Sequence, residues 1–199
     1  MRIGIYSGTF DPVHKGHVAF ALEALKIAEL DIVYFAPEIK PRRKEDCTHI
    51  AHRVAMLELA LRLHPKLSVL ELPDAHFEPR KTYTRLRALF PQDEIALLIG
   101  EDLLEYMHTW PHVNQLIPNI ELIVGFRKNH TRFSSQKIIA ELPAQPKASY
   151  FVETRYGSVS SLGIRQALIH NKKTDDILVS VAQYAHKEWL YHDLSKTKK

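Results

Sequence analysis

The segment at residues 8–17, Gly-Thr-Phe-Asp-Pro-Val-His-Lys-Gly-His, carries the strongest chemical signal in the chain. It follows a short apolar run at residues 3–6 and precedes an amphipathic stretch at residues 18–28, an order that predicts a strand, a tight loop and a helix. The free backbone N–H groups and the positive dipole end of a helix N-terminus favour anions. Gly8 would let the backbone approach a ligand closely. The segment therefore predicts a phosphate site.

His14 and His17 are the side chains of this segment that could contact a phosphate. Because they are three residues apart, they would share one face of a helical first turn. A His-x-x-His pair is more often two surface histidines, and it could also bind zinc, but a structural zinc site needs four ligands. The chain has a single cysteine, Cys47, and no second cluster of ligands. We therefore predict no metal site formed by protein ligands alone, and the glycines and the Asp-Pro pair favour phosphate.

The composition is that of an ordinary globular protein. The chain has 199 residues, of which 45% are hydrophobic and 25% charged, which predicts a single domain over residues 1–199 with a disordered basic tail at about 193–199. One cysteine, no leader and no apolar run of membrane-spanning length predict a cytoplasmic protein without membrane contact. A net charge of +4 could indicate nucleic acid or phosphorylated small molecules. Since no basic segment is interleaved with aromatics, we predict no nucleic-acid partner.

Hydrophobic periodicity predicts an α/β fold in which strands alternate with helices. Strands are expected at residues 3–6, 31–36, 67–72, 95–100, 120–126 and 149–152. Helices are expected at residues 18–28, 50–63, 82–90, from about 103, and at 134–142, 161–171 and 177–189. This order predicts a doubly wound parallel sheet, whose ligands bind at the carboxyl ends of the strands. Residues 7–17, 36–44, 100–110 and 157–165 would meet at that edge.

Ser160 to Arg165 open a predicted helix. Ser160 could simply be its N-cap, or the N–H groups, the hydroxyls of Ser160 and Ser161 and the guanidinium of Arg165 could hold part of a polyphosphate. Ile164 and Leu168 would face the core.

Three further regions leave two interpretations open. Asp102 after Gly100 could accept hydrogen bonds from a ribose or cap the next helix, and Trp110 could pack or stack on an aromatic ring. A basic loop could be a solvated turn or a clamp on substrate phosphates; it contains Lys40, Arg42, Arg43 and Lys44. Arg127, at the end of a strand, is a further candidate, and residues 82–84 are expected to cap a helix.

Together and in this order, these regions resemble the bacterial nicotinate-nucleotide adenylyltransferases, from about residue 2 to residue 191. The resemblance implies a Rossmann-like nucleotidyltransferase fold with C-terminal helices and an ATP site between the first motif and residues 160–165. It also implies the reaction: adenylyl transfer from ATP to nicotinate mononucleotide, with Mg²⁺, to give deamido-NAD and pyrophosphate.

The resemblance also implies the roles of individual residues. The catalytic residues would be His14, His17 and Arg165. The remaining ATP-binding residues would be Gly8, Thr9, Phe10, Gly100, Asp102, Ser160, Ser161 and Ile164. The acceptor would be bound by Lys44, Thr84 and Trp110, with Trp110 stacked on the pyridine ring and Arg53 supporting the Lys44 loop. Arg127 joins these acceptor-binding candidates because of its charge and its place at the end of a strand, not through the resemblance.

The sequence departs from the family pattern at three places. Leu162 replaces a usual threonine, residues 42–44 replace a His-containing loop, and residues 82–85 lack a following acid. The alternatives are therefore an acceptor such as nicotinamide mononucleotide or another phosphorylated compound, or a nucleotide-binding paralogue without turnover. The sequence shows no exposed apolar stripe, and so it makes no prediction of the oligomeric state.

Overall fold

The computed structural model describes residues 1–42, 46–126, 132–153, 156–170 and 172–192. These residues form a six-stranded sheet in the order β3-β2-β1-β4-β5-β6. Its strands are β1 (Arg2–Gly8), β2 (Ile32–Pro37), β3 (Leu67–Val69), β4 (Glu94–Gly100), β5 (Glu121–Phe126) and β6 (Ser149–Glu153). Every pairing is parallel, so the predicted doubly wound sheet is confirmed.

Helices connect the strands. They are α1 (Lys15–Ile27), α2 (Ile50–Leu61), α3 (Pro79–Leu89), α4 (Glu101–Tyr106), α5 (Val113–Leu116), α6 (Arg132–Ala140), α7 (Ser161–Ile169) and α8 (Val179–Lys187). Short 3₁₀ turns at Met107–Thr109 and Ile117–Asn119 flank α5. None of the helices in the described ranges is both long and apolar enough to cross a membrane.

The order of the strands reverses between β1 and β4. Chain order runs from β1 through β2 to β3 on one side, and then from β4 through β5 to β6 on the other. Parallel sheets bind ligands outside the carboxyl ends of the strands at such a reversal. The loops that follow β1 and β4 therefore border the expected position of a ligand.

Apolar residues cover both faces of the sheet. In β4, Ala96 and Leu98 belong to one buried cluster with α1, α2, α7 and α8, whereas Ile95, Leu97 and Ile99 belong to the other cluster with α3 to α6. Side chains of a strand alternate between faces, and a strand buried on both faces is apolar throughout. This explains why residues 95–99 form a continuous apolar run.

The predicted elements all occur, but several boundaries differ. Helix α1 begins at Lys15 rather than at residue 18 because its polar first turn hides the apolar periodicity. Helix α3 begins at Pro79 rather than residue 82, since proline suits the first helical position. The Thr82 hydroxyl accepts a hydrogen bond from the N–H of Glu78 at 2.9 Å, and so it still stabilises this helix N-terminus. Strand β3 ends at Val69, three residues early, at the edge of the sheet.

Candidate active site

His14 and His17 lie at the N-terminus of α1, where the sequence predicted them. His14 is the N-cap residue and is only 6% exposed. Its backbone N–H donates a hydrogen bond to Nδ1 of His17 at 3.2 Å. Because Nδ1 of His17 accepts this bond, a neutral His17 ring carries its proton on Nε2. In that neutral form, Nε2 is the hydrogen-bond donor of the ring.

Three side chains hold the loop between β1 and α1 by its carbonyl groups. Arg53 donates from Nη1 to the carbonyl of Thr9 at 2.8 Å. Arg165 donates from Nη1 to the carbonyl of Asp11 at 2.6 Å, and the Ser161 hydroxyl donates to the carbonyl of Pro12 at 3.0 Å. With its carbonyls bound, this loop is fixed before any ligand arrives, a form of preorganisation.

Arg53 is the most buried of these groups, with 0% of its surface exposed. Besides Thr9, it donates to the carbonyls of Thr48 at 2.7 Å and Ile39 at 3.2 Å. A planar guanidinium has five N–H donors in a fixed fork and can bridge several acceptors. Arg53 thus ties the β1–α1 loop to both described ends of the basic loop.

Gly8 packs closely against an aromatic ring, a contact that the sequence did not predict. A Cβ placed on Gly8 would come within 3.0–3.3 Å of the Phe10 ring, which packs edge-on to Tyr6 and His17. The expected close approach of a ligand to Gly8 stays a prediction. Among the described protein atoms, the nearest neighbour of that Cβ is the aromatic ring, and Phe10 itself adopts the left-handed region at φ 51°. In this structure, Gly8 makes room for Phe10.

A first cavity of about 430 Å³ lies between α1 and α7. His14, His17, Ser160, Ser161 and Arg165 line it. Ser160 is the N-cap of α7, as predicted, and accepts from the N–H of Gly163 at 3.1 Å. Imidazole, hydroxyl and guanidinium groups at two helix N-termini form a surface that suits phosphate groups. We name this space the motif cavity.

A second cavity of about 400 Å³ lies beside the first, over the ends of β1 and β4. Its walls include Glu38, Arg42, Phe77, Asp102 and Trp110. The ring centroids of Phe77 and Trp110 are 6.0 Å apart and the planes are inclined by 45°, so that the two rings together form an aromatic wall of this cavity. We name this space the aromatic cavity.

The two cavities meet at three residues. Tyr6, His17 and Gly100 line both of them. Gly100 is the N-cap of α4, and a Cβ on it would have no described atom within 4 Å. A ligand in each cavity could therefore make contact with the other beside His17.

Comparison with known proteins identifies the family. A family model described as Cytidylyltransferase-like matches residues 5–167. The nicotinate-nucleotide adenylyltransferase of Bacillus subtilis (strain 168) is 32% identical over 201 residues, covering 96% of this chain and 98% of the relative. A probable nicotinate-nucleotide adenylyltransferase of Bacillus pumilus is 31% identical over 197 residues, covering 96% and 98%. The chain belongs to the nicotinate-nucleotide adenylyltransferase family.

Solved structures of similarly named enzymes share the fold. The Plasmodium falciparum nicotinic acid mononucleotide adenylyltransferase complexed with NaAD aligns with a TM-score of 0.79 at 18% identity, covering 96% of this chain and 97% of that chain. The same enzyme complexed with APC aligns with a TM-score of 0.77 at 17% identity, covering 96% of each chain. The predicted Rossmann-like nucleotidyltransferase fold is confirmed, and the chain is a nucleotidyltransferase.

The structure brings most of the predicted site residues of this family together. Gly8, Thr9, Phe10, Gly100, Asp102 and Trp110 line the aromatic cavity, and Ser160, Ser161 and Arg165 line the motif cavity. Ile164 is 2% exposed and packs in the core, as expected from the periodicity, so it supports α7 rather than lining either cavity. Leu162 lines the motif cavity and is 57% exposed.

Of the remaining predicted acceptor residues, the structure describes Thr84 alone. Thr84 lines neither of the two cavities; it borders a separate depression with Arg80 and His112, and its hydroxyl donates to the carbonyl of Arg80 at 2.8 Å. Lys44 and Arg127, which were predicted to bind the acceptor, lie outside the described residues, as do Arg43 and residues 193–199.

Two wall residues were missed by the sequence reasoning. Glu38 follows β2, and its Oε1 accepts from the N–H of Phe77 at 3.0 Å, which fixes the aromatic wall. Phe77 lies in a loop, where the sequence has no hydrophobic periodicity. Only its position shortly before the predicted helix α3 could have indicated that it lines the cavity. Glu38 lies at the carboxyl end of a strand, within residues 36–44 that the sequence predicts at this edge, but unlike Asp102 it was not singled out there.

Proposed function

We propose that this protein transfers the adenylyl group of ATP to nicotinate mononucleotide, giving deamido-NAD and pyrophosphate in NAD biosynthesis. The observation that supports this most directly is the junction of two differently lined cavities at Tyr6, His17 and Gly100. One cavity offers hydrogen-bond donors for phosphate groups, and the other offers an aromatic wall. Such a junction suits the joining of two nucleotides through their phosphates.

In this proposal, the motif cavity holds the phosphates of ATP. His14 and His17 contact them, together with the hydroxyls and N–H groups at the start of α7. Arg165 has one N–H on the carbonyl of Asp11, which leaves further donors of its guanidinium for the β and γ phosphates. The nucleoside of ATP would lie where the two cavities meet, bordered by the backbone of Gly8 to Phe10 on the edge of the aromatic cavity. There Asp102, exposed in the first turn of α4, accepts hydrogen bonds from a ribose.

The aromatic cavity holds the acceptor. Trp110 stacks on the pyridine ring, because a flat π surface binds a flat heterocycle at low entropic cost. Arg42 lines this cavity and attracts the acceptor phosphate. We retain Lys44 as an acceptor-binding candidate by family resemblance and Arg127 by its charge at the end of a strand. Thr84, which borders a separate depression, is retained by resemblance alone.

The reaction needs no nucleophile from the protein. An oxygen of the mononucleotide 5′-phosphate forms a bond to the α-phosphorus of ATP, while the bond from that phosphorus to the bridging oxygen breaks and its electrons leave with pyrophosphate. The attacking phosphate is already ionised at neutral pH, and so catalysis consists of positioning and stabilisation of the developing charge. We propose that Nε2–H of His17, a residue that lines both cavities, donates to the phosphate oxygens that gain charge.

Mg²⁺ is proposed to enter with ATP as part of the substrate. Among the described residues, no cluster of three or more His, Cys, Asp or Glu side chains could hold a metal, and the motif cavity offers imidazole, hydroxyl and guanidinium groups. Mg²⁺ in nucleotide sites is commonly held by phosphates, waters and one or two carboxylates. When bound, it neutralises charge on the phosphates. The single cysteine and the ATP substrate support a cytoplasmic reaction.

The test is pyrophosphate release from ATP and Mg²⁺ with nicotinate mononucleotide and nicotinamide mononucleotide in parallel. We expect rapid release with the nicotinate form and much slower release with the amide. Faster release with nicotinamide mononucleotide would show that this compound, and not nicotinate mononucleotide, is the acceptor. ATP binding without pyrophosphate release in the presence of either acceptor would contradict the proposal and favour a nucleotide-binding paralogue.

A further inference from the structure

The C-terminal end of the described chain reaches the phosphate-binding motif. The hydroxyl of Tyr191 donates to Oδ1 of Asp11 at 2.5 Å, across 180 positions of sequence. Tyr191 lies beyond residues 5–167, the part that the family model matches. Burial raises the pKa of Tyr191, as does the neighbouring Asp11 carboxylate, and so the phenol remains a protonated donor at neutral pH.

Asp11 connects three separate parts of the chain. Its side chain is 3% exposed. While Oδ1 accepts from Tyr191, Oδ2 accepts from the N–H of Thr48 at 3.1 Å. The backbone carbonyl of Asp11 accepts from Arg165. A buried carboxylate needs such donors because an unpaired charge in the interior is costly.

These contacts divide between the two cavities. Ser161 and Arg165, which line the motif cavity, hold the loop by its backbone carbonyls, and these contacts do not involve the Asp11 carboxylate. The carboxylate instead holds Thr48, whose carbonyl accepts from Arg53 at 2.7 Å. Arg53 in turn holds Ile39, close in sequence to Pro41 and Arg42, which line the aromatic cavity.

We propose that Tyr191 is a positioning residue for the acceptor half of the site. By fixing the Asp11 carboxylate, it fixes Thr48 and, through Arg53, the wall of the aromatic cavity that contains Pro41 and Arg42. The motif cavity is held by other contacts and depends on Tyr191 much less. This inference rests on the proposed function, because it assigns a role in binding the second substrate of that reaction.

The test compares Tyr191→Phe, which keeps the ring and removes the donor, with Tyr184→Phe. Tyr184 is the matched control: it lies on α8, and its hydroxyl pairs with Nδ1 of His52 at 2.9 Å, away from Asp11. We expect Tyr191→Phe to raise the KM for the mononucleotide about fivefold, which corresponds to loss of one typical hydrogen bond, and to leave the KM for ATP within about twofold. Tyr184→Phe should change neither. A purely structural defect would not separate the two KM values.

A second comparison measures the contact without turnover. Hydrogen–deuterium exchange of the peptide that contains Thr48 should be faster in Tyr191→Phe than in Tyr184→Phe, since the Thr48 amide then loses a fixed acceptor. Equal exchange in the two variants, or an equal rise of both KM values, would overturn the inference. If the wild-type protein released no pyrophosphate with any pyridine mononucleotide while exchange still responded to Tyr191→Phe, the proposed function would fail and the contact would stand.

Discussion

The imidazole ring of His14 stacks on that of His17, with the ring centroids 3.7 Å apart and the planes inclined by 26°. The buried His14 ring thus supports the ring of His17, which lines both cavities. A Cβ on Gly16 would come within 3.0 Å of the His14 ring, and so the glycine between the two histidines is what allows this packing.

We expect His17→Ala to lower kcat by about 10²–10³-fold, the usual cost of removing one preorganised donor to a transition-state oxygen. The fold should be retained, because His17 lies at a cavity surface. Pyrophosphate release and thermal unfolding measure the two effects. His170→Ala, at an exposed position after α7, is the control. A His17→Ala variant with nearly full activity would exclude the assigned role.

Arg53→Met should destabilise the protein by about 3 kcal/mol, because the carbonyls of Thr9, Thr48 and Ile39 would lose a donor in a buried setting. For a chain of this size, that corresponds to a fall in Tm of about 6–12 °C. Calorimetry or circular dichroism would measure it. Arg62→Ala removes an exposed arginine at the other end of α2 and should shift Tm by less than about 2 °C. Equal shifts in the two variants would contradict the bracing role of Arg53.

Trp110→Ala should raise the KM for the mononucleotide about tenfold, the effect of losing an aromatic stacking partner. Trp110→Phe should recover part of that loss, and the KM for ATP should not change. Trp189 is 74% exposed at the C-terminal end of the chain, and Trp189→Ala therefore serves as the control. If the KM for ATP rose instead, the nucleoside of ATP would occupy the aromatic cavity.

Alkaline pH should destabilise the protein through Tyr191. Its pKa is raised in the folded state, first by burial, above the value of about 10 expected for an unfolded tyrosine. The contribution is fully present below pH 10 and is lost as the pH rises above it, because the unfolded chain then releases a proton that the folded chain retains. Denaturant unfolding between pH 9 and 11 should show a shallower decline in Tyr191→Phe. An unchanged slope would mean that Tyr191 titrates normally.

The sequence predicted what depends on local pattern. The histidine pair, the cap at Ser160 and the apolar run in β4 follow from helix and strand periodicity and from the chemistry of helix termini, and the structure confirms each of these placements. Resemblance to the family supplied Arg53, which periodicity alone would have assigned to the surface of α2.

The contacts that were not predicted join distant segments. Nothing in the neighbourhood of Tyr191 indicates Asp11, since the two meet only after the sheet and both helical layers have formed. The packing of Phe10 against Gly8 was also not predicted. A glycine in a tight loop predicts close approach of something, but the sequence does not say whether that is a ligand or the ring of Phe10.

The position of β1 in the centre of the sheet has a consequence for synthesis on the ribosome. β1 pairs with β2 over residues 3–8, but its other edge pairs with β4, which ends at Gly100. Until that segment has emerged, a nascent chain can build only the β3-β2-β1 half, with an apolar central strand exposed along one edge. Unpaired edges of this kind promote aggregation. Exposure to chaperones during elongation should therefore be greatest before β4 is complete, and should fall sharply once it pairs.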